Sequence, residues 1–382
     1  MTENIPMTLR EMNLRIFQGR PVPHVFFQPR FEPWYEWHHR FHVMPAAYQN
    51  MTLPELFDDL KVSMRYCQYF TGAPDPVVYT YPSEVKIHRK VEGHQMTVCY
   101  ETPYGDLVEF HKFTVDGEWR EVGFPVRTVD DLTKLRWLFK RVLYSFSAEN
   151  FQKGSEYVGE RGEPQFYLPK SPYQALAQTW MRLQDLIYAL ADYRAEVEET
   201  MKVIDEAYEQ MYEQLVASQV KIINFGENLH EALLSPRYFE RYLIPWYEKR
   251  SGQLRNAGIF THVHLDGYFH SLLKFLKDLP FDGLEALTPQ PQGDVTLEEM
   301  KEHIGDKVLL DGIPAVMFLD TFSREELMQI TERIVELFHP RLVLGVSDEV
   351  PEGSGQEAIE RVRMISEWCR ENRKQLFRDQ AI

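Results

Sequence analysis

The sequence predicts an α/β chain folded as a (β/α)8 TIM barrel, with an N-terminal extension and an inserted β-hairpin. Three observations carry that expectation. Four short apolar, β-branched runs end in polar or acidic residues beside Gly or Pro: G-I-F-T-H-V-H-L-D-G at 258–267, D-G-L-E-A-L-T-P at 282–289, V-L-L-D-G-I-P at 308–314 and L-V-L-G-V-S-D-E-V-P at 342–351. Helical stretches of roughly ten to twenty residues separate them, the rhythm of parallel strands buried on both faces. A length of 382 residues with 44% hydrophobic content suits one elaborated barrel and its core.

Taken in order, residues 1–20 place Leu9, Met12 and Ile16 at helical spacing. A first strand is expected over 22–30, closed by Pro29, and an aromatic, histidine-rich loop over 31–42. Thr52 with Glu55 forms a capping box for a helix running through Tyr69. A second strand is expected at Val77–Tyr81, and alternation with turn signals over 84–127 predicts the hairpin insertion. Thr128 and Asp131 cap a helix near 130–151. A third strand follows at Gln165–Leu168, then helices at about 172–188 and 193–217, and a fourth strand at Val220–Phe225. Ser235-Pro236 opens the next helix in the favoured order of cap then proline. The four runs quoted above supply strands five to eight. Thr296 with Glu299 and Ser323 with Glu326 cap two intervening helices, and a last helix covers about 355–375. Eight strands alternating with helices favour a barrel, organised as one domain over 1–382, above an open doubly wound sheet.

Net charge is −16, which argues against nucleic-acid or anionic-membrane partners, since both demand a basic face. Cys67, Cys99 and Cys369 are far apart and read as reduced packing thiols of a cytoplasmic protein. The beginning of the chain lacks a signal-peptide pattern, and no apolar run reaches membrane-spanning length. Dinucleotide, P-loop, zincin and serine-hydrolase motifs are missing.

Function in such folds gathers where strands end. His262 and His264 share a strand face, and Asp266 lies just beyond. A His-x-Asp pair there can hold one ion; a core histidine bonded to an aspartate is the plainer alternative. Glu285 sits inside an apolar run, where a carboxylate is costly unless paired or metal-bound. Asp348 and Glu349 end the eighth strand and serve either the site or a helix cap. Asp311 either joins the site or shapes a turn, and Glu227-Asn228 carries the same ambiguity. Arg30, followed by Trp34, Tyr35, Trp37, His38, His39, Phe41 and His42, suits a flat, weakly anionic ligand, or packing over the barrel mouth.

These residues resemble the superfamily of uroporphyrinogen decarboxylase and cobalamin-dependent methyltransferases. The likeness spans about residues 22–370. It rests on Gln28-Pro29-Arg30, E-T-P-Y-G-D-L at 101–107, F-P-V-R-T-V-D-D-L at 124–132, K-S-P-Y-Q-A-L at 170–176, G-E-N-L-H at 226–230, L-S-P-R-Y-F-E-R-Y-L-I-P at 234–245, H-L-D-G at 264–267 and G-V-S-D-E-V-P at 345–351. It implies a barrel with its site at the C-terminal strand ends. The chain looks most like members that demethylate methoxylated aromatics. In the zinc methyltransferases of that group a His-x-Cys pair ends the fifth strand, a cysteine ends the eighth, and some relatives add a glutamate from the sixth. Carried over, the histidine is His264 and the glutamate Glu285, while Asp266 and Asp348 stand at the cysteine positions. That set, His264, Asp266, Glu285 and Asp348, is harder and more oxygen-loving than thiolates. It implies either zinc acting on an ether oxygen or proton transfer without metal.

The expected function is therefore an O-demethylase component that moves a methyl group from a methoxylated substrate to a corrinoid (cobalamin) carried by a partner protein. Arg30, Trp34, Tyr35, His38, Glu227, Asn228, His262 and Asp311 are the expected substrate contacts. A homodimer is left open. The alternatives are a decarboxylase-like lyase acting on a tetrapyrrole or other carboxylated substrate, where a single Arg30 is little cation for many carboxylates, and a barrel that only binds.

Overall fold

A computed structural model describes residues 7–371. The chain divides into two compact units where a single domain is expected. Among the described residues, one contains 7–76, 147–168 and 219–371, the other 77–146 and 169–218. Among the described residues, no helix is long and apolar enough to cross a membrane.

The first unit is built on a six-stranded parallel sheet. Its strands are β1 (Tyr167–Leu168), β2 (Ile222–Leu229), β3 (Phe260–Leu265), β4 (Gly283–Glu285), β5 (Val308–Pro314) and β6 (Leu342–Ser347), and sequential strands are neighbours throughout. Every residue of β5 and β6 is buried, as two-sided coverage demands. These are the third to eighth expected strands. Among the described residues this parallel sheet has six regular strands where eight are expected, and a closed eight-stranded barrel is not formed by them. The first expected strand is reduced to a parallel bridge, Phe27 to Leu344, at the β6 edge. At the other edge Tyr66 bridges to Gln165, and Ser63 donates its backbone N–H to Phe27 O at 3.1 Å.

That edge position was expected to be filled by Val77–Tyr81. Instead Val77–Thr80 pairs antiparallel with Leu143–Phe146 in the second unit. The stretch at the sheet edge, 62–67, was expected to be helical. The capped helix ends early at Leu60, where Lys61 takes a left-handed φ of 55°. Beyond it Val62-Ser63-Met64-Arg65-Tyr66-Cys67 runs buried beside the sheet.

The N-terminal helix α1, Leu9–Phe17, is held by the Thr8/Glu11 capping box. Its Met12, Ile16 and Phe17 pack on Val22, Phe26, Ile222, Val308, Leu310 and Val343. Each such side chain contributes about 1.5–3 kcal/mol of burial. Ile222 and Val308 begin their strands, so α1 covers the N-terminal end of the sheet. Residues 1–6 of this expected helix, and 372–375 of the last one (Gln356–Glu371), lie outside the described residues. The aromatic segment expected as a loop forms α2, Glu32–Arg40. The capping boxes at Thr52, Thr296 and Ser323 form as expected.

In the second unit the expected hairpin is a four-stranded antiparallel sheet: Lys86–Glu92, Gln95–Glu101, Leu107–Phe113 and Trp119–Gly123, in chain order. The helix expected over 130–151 stops at Phe139, and a strand at Leu143–Phe146 follows. The helix expected over about 172–188 is broken into turns at Pro172–Ala175 and Leu176–Trp180 and a helix at Leu183–Asp192, and the helices Arg194–Ala207 and Glu209–Val216 follow in the same unit.

Candidate active site at the strand ends

Parallel register sets the first contacts. Side chains two apart on β3 face the same way, so His262 and His264 lie on one face, both buried. Glu285 of β4 stands opposite His264, and Leu310 of β5 opposite Glu285. Asp311 follows, in a left-handed conformation with φ 78°. Asn228 (φ 49°) and Ala286 (φ 59°) are left-handed at the ends of neighbouring strands. Non-glycine residues reach that region at a cost and gather at functional sites. Gly345 on β6 leaves the room this needs: a Cβ there would lie 2.4 Å from Asp311 Oδ1 and 2.7 Å from Gln28 O.

The floor of the site is one connected polar network. Glu285 Oε1 accepts from Arg65 Nη1 at 2.6 Å and from the Tyr66 hydroxyl. Its Oε2 accepts from His264 Nδ1 at 3.1 Å and from Asn224 Nδ2. Arg65 grips Asp311 with both arms, Nη1 to Oδ2 at 3.0 Å and Nη2 to Oδ1 at 2.7 Å, and donates Nε to Gln28 Oε1 at 2.8 Å. His262 Nε2 donates to Gln165 Oε1 at 2.7 Å. All these side chains are buried. Two buried carboxylates are tolerable because a bidentate guanidinium and several N–H groups meet them.

Above the floor, Arg30 Nη1 donates to Asp348 Oδ1 and Nη2 to Glu349 Oε2 at 3.3 Å. The Tyr69 hydroxyl donates to the same Glu349 oxygen at 3.0 Å. The Arg30 guanidinium lies 5.3 Å from the Tyr66 ring centre and 5.0 Å from that of Tyr69. His264 Nε2 faces Asp348 Oδ2 at 3.7 Å. A cavity of about 240 Å³ opens here, lined by Arg30, Tyr69, Tyr167, Gly226, Asn228, His264 and Asp348.

Electrostatics separate the two histidines. Burial drives His262 down to about 3, so it is neutral. Burial would also lower His264, but the carboxylates of Asp348 and Glu285 outweigh it and raise its pKa above the usual histidine value. Burial would raise Glu285, yet Arg65 and then His264 hold it well below the usual carboxylate range. Burial pushes Asp311 up to about 6 against the Arg65 fork, which leaves it ionised at neutral pH. The arrangement can therefore offer a proton from His264 into an aromatic-walled cavity.

Of the expected catalytic residues, His264, Glu285 and Asp348 come together, with Arg30. Asp266 does not: its side chain is exposed, and its backbone N–H bonds to Leu229 O. Asn228 lines the cavity, whereas His262 and Asp311 belong to the floor. Glu227 is buried and accepts from the Tyr247 hydroxyl at 2.9 Å. The expected aromatic contacts pack elsewhere. Trp34 Nε1 bonds to Ser354 O at 2.7 Å, Tyr35 Oη to Met51 O at 2.8 Å, and His38 Nδ1 to Trp34 O at 2.7 Å. These residues sit on α2, whose buried face is ordinary packing. Sequence reasoning missed Arg65, Tyr66, Tyr69, Tyr167 and Asn224. The signal for Arg65 and Tyr66 was present: V-S-M-R-Y-C at 62–67 alternates apolar and polar with the period of a strand.

The expected metal set of His264, Asp266, Glu285 and Asp348 does not fit a metal ion as arranged. Asp266 is away from the other three, both Glu285 oxygens face N–H or O–H donors, and Arg30 holds Asp348. A divalent ion would sit against two guanidinium groups. Among the described residues, no group of three or more His, Cys, Asp or Glu side chains is placed to hold a metal ion.

No protein-family model matches the chain, and no curated protein matches it. Solved structures do. A methyltransferase from Methanosarcina mazei superposes with a TM-score of 0.59 at 14% identity, covering 95% of this chain and 99% of that one. A vitamin B12-independent methionine synthase from Shewanella sp. W3-18-1 gives a TM-score of 0.43 at 13% identity, covering 85% of this chain and 86% of that one. A similar synthase from Listeria monocytogenes gives 0.41 at 10%, covering 91% and 96%. The first likeness shows a shared fold; the other two are too distant in shape to carry an argument.

Proposed function

We propose that the chain is a methyltransferase that takes a methyl group from a methoxylated, single-ring substrate and passes it to a corrinoid on a partner protein. One observation carries this reading: His264, raised in pKa between Glu285 and Asp348, faces a small cavity walled by Tyr69 and Tyr167. The reduced corrinoid supplies the nucleophile that accepts the methyl group. The barrier in such a transfer lies in the leaving aryl oxide. As the methyl–oxygen bond breaks, the electron pair stays on oxygen, and His264 Nε2 delivers the proton that makes it a phenol. Glu285 fixes the ring of His264 through Nδ1, and Tyr69 and Tyr167 hold the substrate ring.

Size separates this from the lyase reading. About 240 Å³ is below the ~300–1,000 Å³ of pockets for drug-sized ligands. It suits one substituted ring and not a tetrapyrrole, and a corrin has to approach from the mouth, where the Asp348 side chain is 40% exposed.

The test mixes the purified chain with a reduced corrinoid protein and a panel of methoxyarenes. Phenol release coupled to methylation of the corrinoid is expected. No phenol across the panel, or carbon dioxide released from an aromatic carboxylate instead, overturns the proposal.

A further inference from the structure

The N-terminal end of the sheet, away from the cavity of His264, holds a second opening. A cavity of about 230 Å³ lies where the helices Leu297–Ile304 and Arg324–Phe338 turn back into β5 and β6. Lys307 immediately precedes β5 and Arg341 immediately precedes β6. Leu309 donates its backbone N–H to Arg341 O at 3.0 Å, which joins the two segments there. Lys301 enters from the last turn of the first helix, its Nζ 5.7 Å from the Phe338 ring centre. Ile304 and Phe338, both buried, give the cavity an apolar side. Among the described residues, none of these three cations forms an ion pair with a carboxylate. Lys307 Nζ spends one N–H on Lys277 O at 3.0 Å and keeps two.

We infer that this cavity is an oxyanion site, suited to phosphate or a small phosphate ester. The physical argument is a surplus of positive charge. Lys301, Lys307 and Arg341 share the cavity with one acid, Asp306. His339 borders it too, but burial lowers its pKa and leaves it neutral. Two helices end here, and each C-terminus carries about half a negative charge. Asp306 and the two helix ends therefore offset about two of the three cations, and about one is left over. Burial and then Arg255 lower the Lys307 pKa against the pull of Asp282, so a further anion relieves that lysine. In a chain of net charge −16 such a surplus is not a general property of the surface. A phosphate group suits it, because Arg341 offers a planar fork and the lysines offer movable point charges. The cavity leaves room for a small organic group against Ile304 and Phe338. An anion bound there ties the starts of β5 and β6 together. The site stands apart from the methyl-transfer reading, because binding and stability are read without any methyl donor.

The test titrates the full chain with inorganic phosphate and with glycerol phosphate at constant ionic strength, and follows the heat of binding and thermal unfolding. The wild type should bind either anion saturably and unfold at a higher temperature when it is bound. Lys301→Gln and Arg341→Gln should each weaken binding by about tenfold, and the double variant should lose it. Both side chains are exposed, so the variants should fold as the wild type does by circular dichroism. Tighter binding of glycerol phosphate assigns the site to a phosphate ester, and equal binding assigns it to the free anion. A wild type that shows no saturable binding beyond that of chloride overturns the inference. So does a folded double variant that binds phosphate as tightly as the wild type.

Discussion

His264 places Nδ1 3.1 Å from Glu285 Oε2 and turns Nε2 toward Asp348 Oδ2, 3.7 Å away. One carboxylate orients the imidazole and the other sits at the cavity. Together they raise its pKa against the effect of burial.

The first prediction follows from that pair. His264→Gln should lower phenol release by about 10²–10⁴-fold, the usual contribution of a positioned acid. The wild-type rate should fall as pH rises through the raised His264 value, and the variant should lack that limb. The stability sign agrees: a histidine raised above its unfolded value of about 6.5 stabilises fully below that pH and less as pH climbs through the folded value. Rate and urea-midpoint profiles against pH check both.

Glu285→Gln should destabilise the fold by about 3–5 kcal/mol, because a buried guanidinium loses one of its two carboxylates. The Glu285 pKa is depressed, so its stabilisation is present above about pH 4.3 and is lost only as pH falls through the folded value. Urea unfolding of the variant should lack that acid limb.

Gly345→Ala tests the backbone approach beneath Asp311. Its Cβ would fall 2.4 Å from Asp311 Oδ1 and 2.7 Å from the Gln28 carbonyl, which belongs to backbone and cannot swing aside. A loss of about 1–3 kcal/mol is expected, seen as a lower urea midpoint with the far-ultraviolet circular dichroism of the wild type.

Asp266→Ala should leave phenol release unchanged and stability within about 0.5 kcal/mol, since the side chain is exposed and apart from the His264 cluster. A large fall in rate would return Asp266 to the site.

Glu32, in the first turn of α2, is buried, and burial raises it to about 7 against its own backbone amide and the pull of Arg30. Its contribution to stability is full below about pH 4.5 and shrinks by ~3 kcal/mol as pH rises to about 7, because the unfolded chain ionises first. Glu32→Gln should flatten that part of the stability profile.

The strand ends were legible because a buried parallel strand announces itself as a continuous apolar run, and polar residues inside or just after it stand out. His264, Glu285 and Asp348 were found that way. Arg65 and Tyr66 were not, because the capping box at Thr52 promised a long helix and concealed the six alternating residues after Lys61. Trp34, Tyr35 and His38 misled in the opposite sense: their density suggested a binding loop, yet at helical spacing they belong to a helix that packs and bonds to nearby backbone.

By itself the sequence determined the parallel strands, the helix caps and which acidic and imidazole groups stand at strand ends, since burial on both faces and capping chemistry are written in short stretches of chain. Tertiary structure alone decided which of those groups meet. A carboxylate in the interior takes the cation that the fold carries within reach, and two arginines from outside the regular strands, Arg30 and Arg65, claimed Asp348, Glu285 and Asp311 and left Asp266 to solvent.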